Sequence, residues 1–196
     1  MADTVAPGEP RRSSASTQTR HQCSLQFITA PALQELRITQ ETAASLLDCI
    51  NRSACSLATL VLTNCSIPDL LIPILAASPN LTALTVVFHR TTKPVMVGLL
   101  GALIASSDAP PDVCPRLSRL VMGELDPLAI SSLLDVAASR RTPPITFLRA
   151  FYNGELTSGA LDILPRVAAM KADGLDVAID AKFKPSSNNY MGFGWP

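Results

Sequence analysis

Histidine, cysteine and paired carboxylates are the side chains that most often carry chemistry, and this chain holds few of them at usable spacing. Its two histidines, His21 and His89, stand far apart, so a zinc site would have to recruit scattered Cys and Asp residues with no recognisable ligand pattern. The five cysteines, Cys23, Cys49, Cys55, Cys65 and Cys114, are odd in number, lack C-x-x-C spacing and lie among apolar residues. That pattern predicts free buried thiols and no disulfide framework. No G-x-G-x-x-G or G-x-x-x-x-G-K-S/T loop is present; the nearest glycine pair, Gly98 and Gly101, lies inside an apolar run and predicts close helix packing. A G-x-S-x-G nucleophile elbow is missing as well. Glu35, Asp48, Asp126, Asp135, Glu155, Asp176 and Asp180 are isolated carboxylates, expected at caps, loops and solvated positions, so no acid–base pair follows from them. These residues predict a chain without enzymatic activity, catalytic residues, metal or cofactor.

Leucine, by contrast, recurs at a fixed spacing. The segments 31–38 (PALQELRI), 55–62 (CSLATLVL), 79–86 (PNLTALTV), 115–122 (PRLSRLVM) and 143–150 (PPITFLRA) each present three apolar anchors. The anchors are Leu33/Leu36/Ile38, Leu57/Leu60/Leu62, Leu81/Leu84/Val86, Leu117/Leu120/Met122 and Ile145/Leu148/Ala150. This is the L-x-x-L-x-L core of a leucine-rich repeat, and each copy reads as a short buried strand. Successive copies begin 24, 24, 36 and 28 residues apart, the third interval being lengthened by the loop 106–115 (SSDAPPDVCP). A weaker sixth copy, Ala172-x-x-Leu175-x-Val177 continuing to Ile179, predicts an edge strand. Cys65 stands where such repeats carry Asn or Cys, which predicts a structural, inward-turned side chain.

Helix signals alternate with these strands. Asp126-Pro127 pairs a capping carboxylate with a proline suited to the first helical turn, and Ile130, Leu133, Leu134 and Ala137 follow at i, i+3, i+4, i+7. Arg140 and Arg141 stand near the end of that helix, where cations complement its dipole, and Pro143-Pro144 stop it. Elsewhere Thr42 can cap a helix bearing Leu46, Leu47 and Ile50. The helix over 69–77 must hold Pro73 in its opening turn, and the one over 158–171 meets the same problem at Pro165 before a stop at Gly174.

Alternation of this kind predicts an α/β fold, an irregular leucine-rich-repeat-like solenoid with parallel strands on one face and helices on the other. The expected organisation is a disordered N-terminal tail over 1–22, the repeat domain over 23–183, and a C-terminal tail or cap over 184–196 that concentrates Tyr190, Phe193 and Trp195. Lys plus Arg equals Asp plus Glu, which argues against nucleic acid as a partner. The longest apolar run, 95–105, is too short for the roughly 20 residues that span a bilayer. With no secretory signal evident, a cytoplasmic or nuclear location is expected.

The region from about Ala30 to Ile179 resembles the divergent leucine-rich-repeat part of fungal F-box-like proteins, especially those of mushroom-forming fungi. The likeness rests on 46–53 (LLDCINRS) followed by 55–62, on 75–84 (LAASPNLTAL), on Ser139-Arg140-Arg141 and on 174–179 (GLDVAI). It implies substrate recognition for a cullin-type ubiquitin ligase, with ligase subunits as partners. Residues 1–29 do not resemble an F-box, so the chain reads as a repeat module without its docking domain.

Strand alternation then nominates a binding surface, because the neighbours of the anchors project from the face opposite the core. The residues expected to contact a protein partner are Arg37, Thr39, Val61, Thr63, Thr85, Val87, Arg119, Val121, Arg149 and Phe151, with the arginines and Phe151 as anchors. Glu35, Thr59, Ala83, Gly123 and Phe147 share that face, and its Val and Phe content leaves cover by the protein's own tail or loops as the rival. An alternative from another class is a small α/β enzyme, with a doubly wound sheet and a ligand site at the strand C-terminal ends.

Overall fold

The computed structural model of the chain describes residues 25, 29–39, 43–65, 70–88, 93–104, 113–140, 143–152 and 162–181. Strands and helices alternate as β1 (Glu35–Thr39), α1 (Ala43–Ser53), β2 (Thr59–Cys65), α2 (Leu71–Ala76), β3 (Ala83–Phe88), α3 (Lys93–Leu103), β4 (Arg119–Leu125), α4 (Pro127–Ser139), β5 (Phe147–Tyr152), α5 (Ile163–Ala172) and β6 (Asp176–Ala181). The six strands form one sheet in chain order, and every pairing is parallel. The tails over 1–22 and 184–196, His89, Thr42 and most of the 106–115 loop lie outside the described residues.

Strands β1 to β5 each begin two residues after the first anchor of their segment, because the anchor itself sits in a tight turn. Leu33, Leu81 and Leu117 donate their backbone N–H to the carbonyl three residues earlier, at 3.0–3.1 Å. The residue after the anchor then starts the sheet. The carbonyls of Gln34, Ala58, Thr82 and Ser118 each accept two N–H groups from the next repeat, and that of Thr146 accepts one, from Asp176. Leu36↔Leu60, Leu60↔Leu84, Leu84↔Leu120, Leu120↔Leu148 and Leu148↔Val177 therefore stack in register, and all but Leu36 are almost wholly buried. The sixth copy does form an edge strand, β6, but its spacing is corrected: Val177 and not Leu175 stacks on Leu148, and Ala172 is the last residue of α5.

The core lies between this leucine face and the helices. Leu46 and Ile50 of α1, Leu71, Ile74 and Leu75 of α2, Leu99, Leu100 and Leu103 of α3, and Ile130, Leu133 and Leu134 of α4 join the strand leucines in one cluster. In α4 the Asp126 side chain accepts from the Ala129 backbone N–H at 2.8 Å, with Pro127 in the first turn, as the residue types require. Pro73 and Pro165 fall in the opening turns of α2 and α5, where their missing N–H leaves no bond unmade. Gly174, at φ +91°, closes α5: its N–H reaches Lys171 and that of Leu175 reaches Met170, a Schellman ending.

Two expectations are corrected. Gly98 and Gly101 are exposed, with open space where a Cβ would sit, so helix packing does not account for them. Arg140 is 3% exposed and does not serve its own helix. Its Nε donates to the Leu103 carbonyl at the end of α3 (2.9 Å), and its two terminal nitrogens donate to Cys114 (2.7 Å) and Val113 (2.9 Å). The arginine thus ties the end of α3 to residues 113 and 114 across the long third interval, and the Cys114 carbonyl accepts the Leu117 N–H as well.

Candidate protein-binding face

The sheet face opposite the core carries three rows of side chains, set by the parallel register. The first row is Glu35, Thr59, Ala83, Arg119, Phe147 and Asp176; the second is Arg37, Val61, Thr85, Val121, Arg149 and Ala178; the third is Thr39, Thr63, Val87 and Gly123, continued beyond the β4–β5 irregularity by Phe151 and Asp180. None of these residues belongs to the core cluster. All ten residues nominated from the sequence therefore share one surface.

They are not equally accessible. Thr63, Val87 and Phe151 are only 5%, 4% and 8% exposed, and form a floor that a partner could not grip directly. The expectation that Phe151 anchors a partner is corrected on that ground. Thr63 Oγ1 lies 2.9 Å from Thr39 Oγ1, and Val87 lies over Gly123, whose absent Cβ would come within 2.9 Å of Val87 Cγ1. Val61, Thr85, Val121, Arg119 and Arg149 are half-buried, while Arg37 and Thr39 are exposed on the edge strand. Arg37 is ion-paired with Glu35, two residues back on the same strand face.

Charge is distributed unevenly across this surface. Glu35 and Arg37 neutralise each other on β1, β2 and β3 are uncharged here, β4 and β5 supply Arg119 and Arg149, and β6 supplies Asp176 and Asp180. Phe147 lies between the two arginines: the Arg119 Cζ is 4.5 Å from its ring centroid and the Arg149 Cζ 5.6 Å. Cation–π attraction of this kind holds a guanidinium on a ring without neutralising its charge. Arg149 Nε is buried without a hydrogen-bond partner.

Beyond the ten nominated positions and Glu35, Thr59, Ala83, Gly123 and Phe147, which the alternation also places here, Asp176, Ala178 and Asp180 complete the surface. Extending the two-residue alternation into the sixth copy identifies these three, and the register places Phe147 beside Arg119. A second feature invisible to the leucine pattern lies at the sheet's N-terminal rim. Thr82, Ser118 and Thr146 occupy equivalent positions, and each hydroxyl donates to the carbonyl of the equivalent residue one repeat earlier: Ala58 (3.1 Å), Thr82 (3.3 Å) and Ser118 (3.2 Å).

Among the described residues no group of three or more His, Cys, Asp or Glu side chains is placed to hold a metal ion, and no helix is long and apolar enough to cross a membrane. Cys49 and Cys114 are buried and Cys55 half-buried, all as free thiols; the Cys65 side chain lies outside the described residues. Burial pushes the Cys114 thiol up to about 12, the Arg140 guanidinium opposing that rise. Burial likewise lowers the Arg140 guanidinium from its ordinary value. A groove of about 480 Å³ runs between α4 and α5, lined by Ala137, Ile145, Thr146, Arg166, Met170 and Leu175 among others. It opens near the N-terminal ends of β5 and β6, whereas ligands of open α/β sheets bind beyond the strand C-termini, where the strand order reverses. The order β1 to β6 contains no reversal.

Comparison with known protein families, with characterised proteins and with solved structures finds no match to this chain.

Proposed function

We propose that this chain is a non-catalytic protein-binding module of the leucine-rich-repeat kind, a short solenoid that uses the sheet face opposite the leucine core as its contact surface. The observation that carries the reading is the sequential parallel sheet, whose strands repeat one backbone step while the face away from the leucine core stays outside the core cluster. Stacked repeats of this type serve as extended recognition surfaces. The resemblance to fungal F-box-like proteins extends the proposal to substrate recognition for a cullin-type ubiquitin ligase.

The test is affinity capture with the tagged chain and with a Val61→Asp/Thr85→Lys variant, both first shown to melt at the same temperature. Partners recovered by the parent and lost by the variant support the reading, and ligase subunits among them support its ubiquitin branch. An unchanged partner set overturns the assignment of the face.

A further inference from the structure

Resting on that reading of the face, we propose that the β4–β5–β6 part of it recognises a protein segment through an acidic side chain, whose carboxylate is received between Arg119 and Arg149 beside Phe147. Three observations converge. Phe147 holds both guanidiniums close to its ring, at 4.5 and 5.6 Å, so two cationic groups are gathered over one short stretch of the sheet. Among the described residues Arg149 forms no ion pair, although Asp176 and Asp180 stand diagonally from it on the next strand and are exposed. Arg37, the third arginine of the face, is ion-paired with Glu35, so β1 adds no net charge to it.

Two arginines can receive either a carboxylate or a phosphate. The flanking aspartates decide between them. Asp176 lies directly across from Phe147 and Asp180 from Phe151, so a phosphate dianion or a nucleic-acid backbone would meet like charge at the distance of one strand, about 4.8 Å. A single carboxylate meets less repulsion, and the same aspartates then favour a basic residue on the β6 side of it. The uncharged Val61, Thr85 and Val121 accept neutral or apolar residues on the other side. The fitting occupant is an extended segment that reads apolar, acidic, basic across the strands.

The experiment is selection of a phage-displayed library of random linear peptides on the full chain, followed by titration of the enriched peptides in low and high salt. Enrichment of acidic residues with a neighbouring Lys or Arg is expected, together with an affinity that falls with salt and drops more than about tenfold on Arg149→Gln but not on Arg37→Gln. A folded Arg119→Glu/Arg149→Glu variant should enrich basic peptides in place of acidic ones, which mere structural damage would not produce. Enriched peptides without acidic residues that Val61→Asp still displaces would overturn this inference and leave the face reading standing. Peptides indifferent to Val61→Asp, or no enrichment, would overturn both.

Discussion

A buried arginine surrounded by carbonyls is the sharpest constraint at the scale of single residues. Arg140 presents a planar fork that meets three acceptors from two segments at once, which a lysine's point charge cannot reproduce. Arg140→Ala should cost on the order of 3 kcal/mol, since it takes the guanidinium's hydrogen bonds from the Leu103, Val113 and Cys114 carbonyls, the last of which keeps the Leu117 N–H. Arg140→Lys should recover only part of that loss; urea denaturation midpoints check both. The neighbouring Cys114 thiol gives a pH signature. Its proton is held to about 12 in the fold against 9.0 for an ordinary thiol, so above pH 9 the unfolded chain releases a proton that the folded chain keeps. Stability contributed by the neutral thiol is complete below pH 9 and is lost as pH rises from 9 to about 12. Denaturation measured across that window should decline more steeply for the parent than for Cys114→Ala. A sequence reading could place both residues near repeat boundaries, but nothing in their spacing shows that the inserted loop returns its carbonyls to one guanidinium.

Among the elements, what the leucine spacing makes legible is the stacking of strands and the polarity of each helix. It does not reach the ends of the strands. In β2 and β4 the register slips between Thr63 and Cys65 and between Met122 and Leu125, and the residues in between, Asn64 and Glu124, take left-handed backbone angles of φ 54° and 61°. That single reversed residue lets Leu125 rejoin the core, at 1% exposure, three positions after Met122. The same backbone reversal at Asn64 precedes Cys65, and strict two-residue alternation can express neither. The same alternation places Gly123 on the open face without explaining its small size. The reason is lateral: a Cβ there would press on Val87 Cγ1 at 2.9 Å across β3 and β4. Gly123→Ala should therefore destabilise by about 1–3 kcal/mol. Adding Val87→Ala should return most of that loss, a coupling that a double-mutant cycle measured by thermal melting reads directly.

Among the described residues every substantial contact between elements joins neighbours in the chain: each strand touches the next, each helix the next, and α4 and α5 the strands beside them. In the solenoid proposed above, stability accumulates from local units and the interfaces between them, so it should be graded along the sheet. The gradient is visible in burial. Leu60, Leu84, Leu120 and Leu148 of the four inner strands, and Val177 at the same position of β6, are almost wholly buried, whereas Leu36 of β1 is only half-covered; two residues further along, Ile179 of β6 is half-covered where Leu62, Val86, Met122 and Ala150 are buried. Leu120→Ala should then cost about 3–5 kcal/mol and Leu36→Ala distinctly less, because the inner site keeps its walls and holds a cavity while the edge site already meets water. Native-state hydrogen exchange should report the same order. Amides of β2 through β5 should exchange near the global unfolding limit, and those donating from β1 and β6 should exchange sooner, through opening of the end units alone. Equal protection in all six strands would mean that the sheet unfolds as one block. In that case the end strands, with Arg37 and Asp180 at the rims of the proposed binding face, would be as rigid as the strands that carry Arg119 and Arg149.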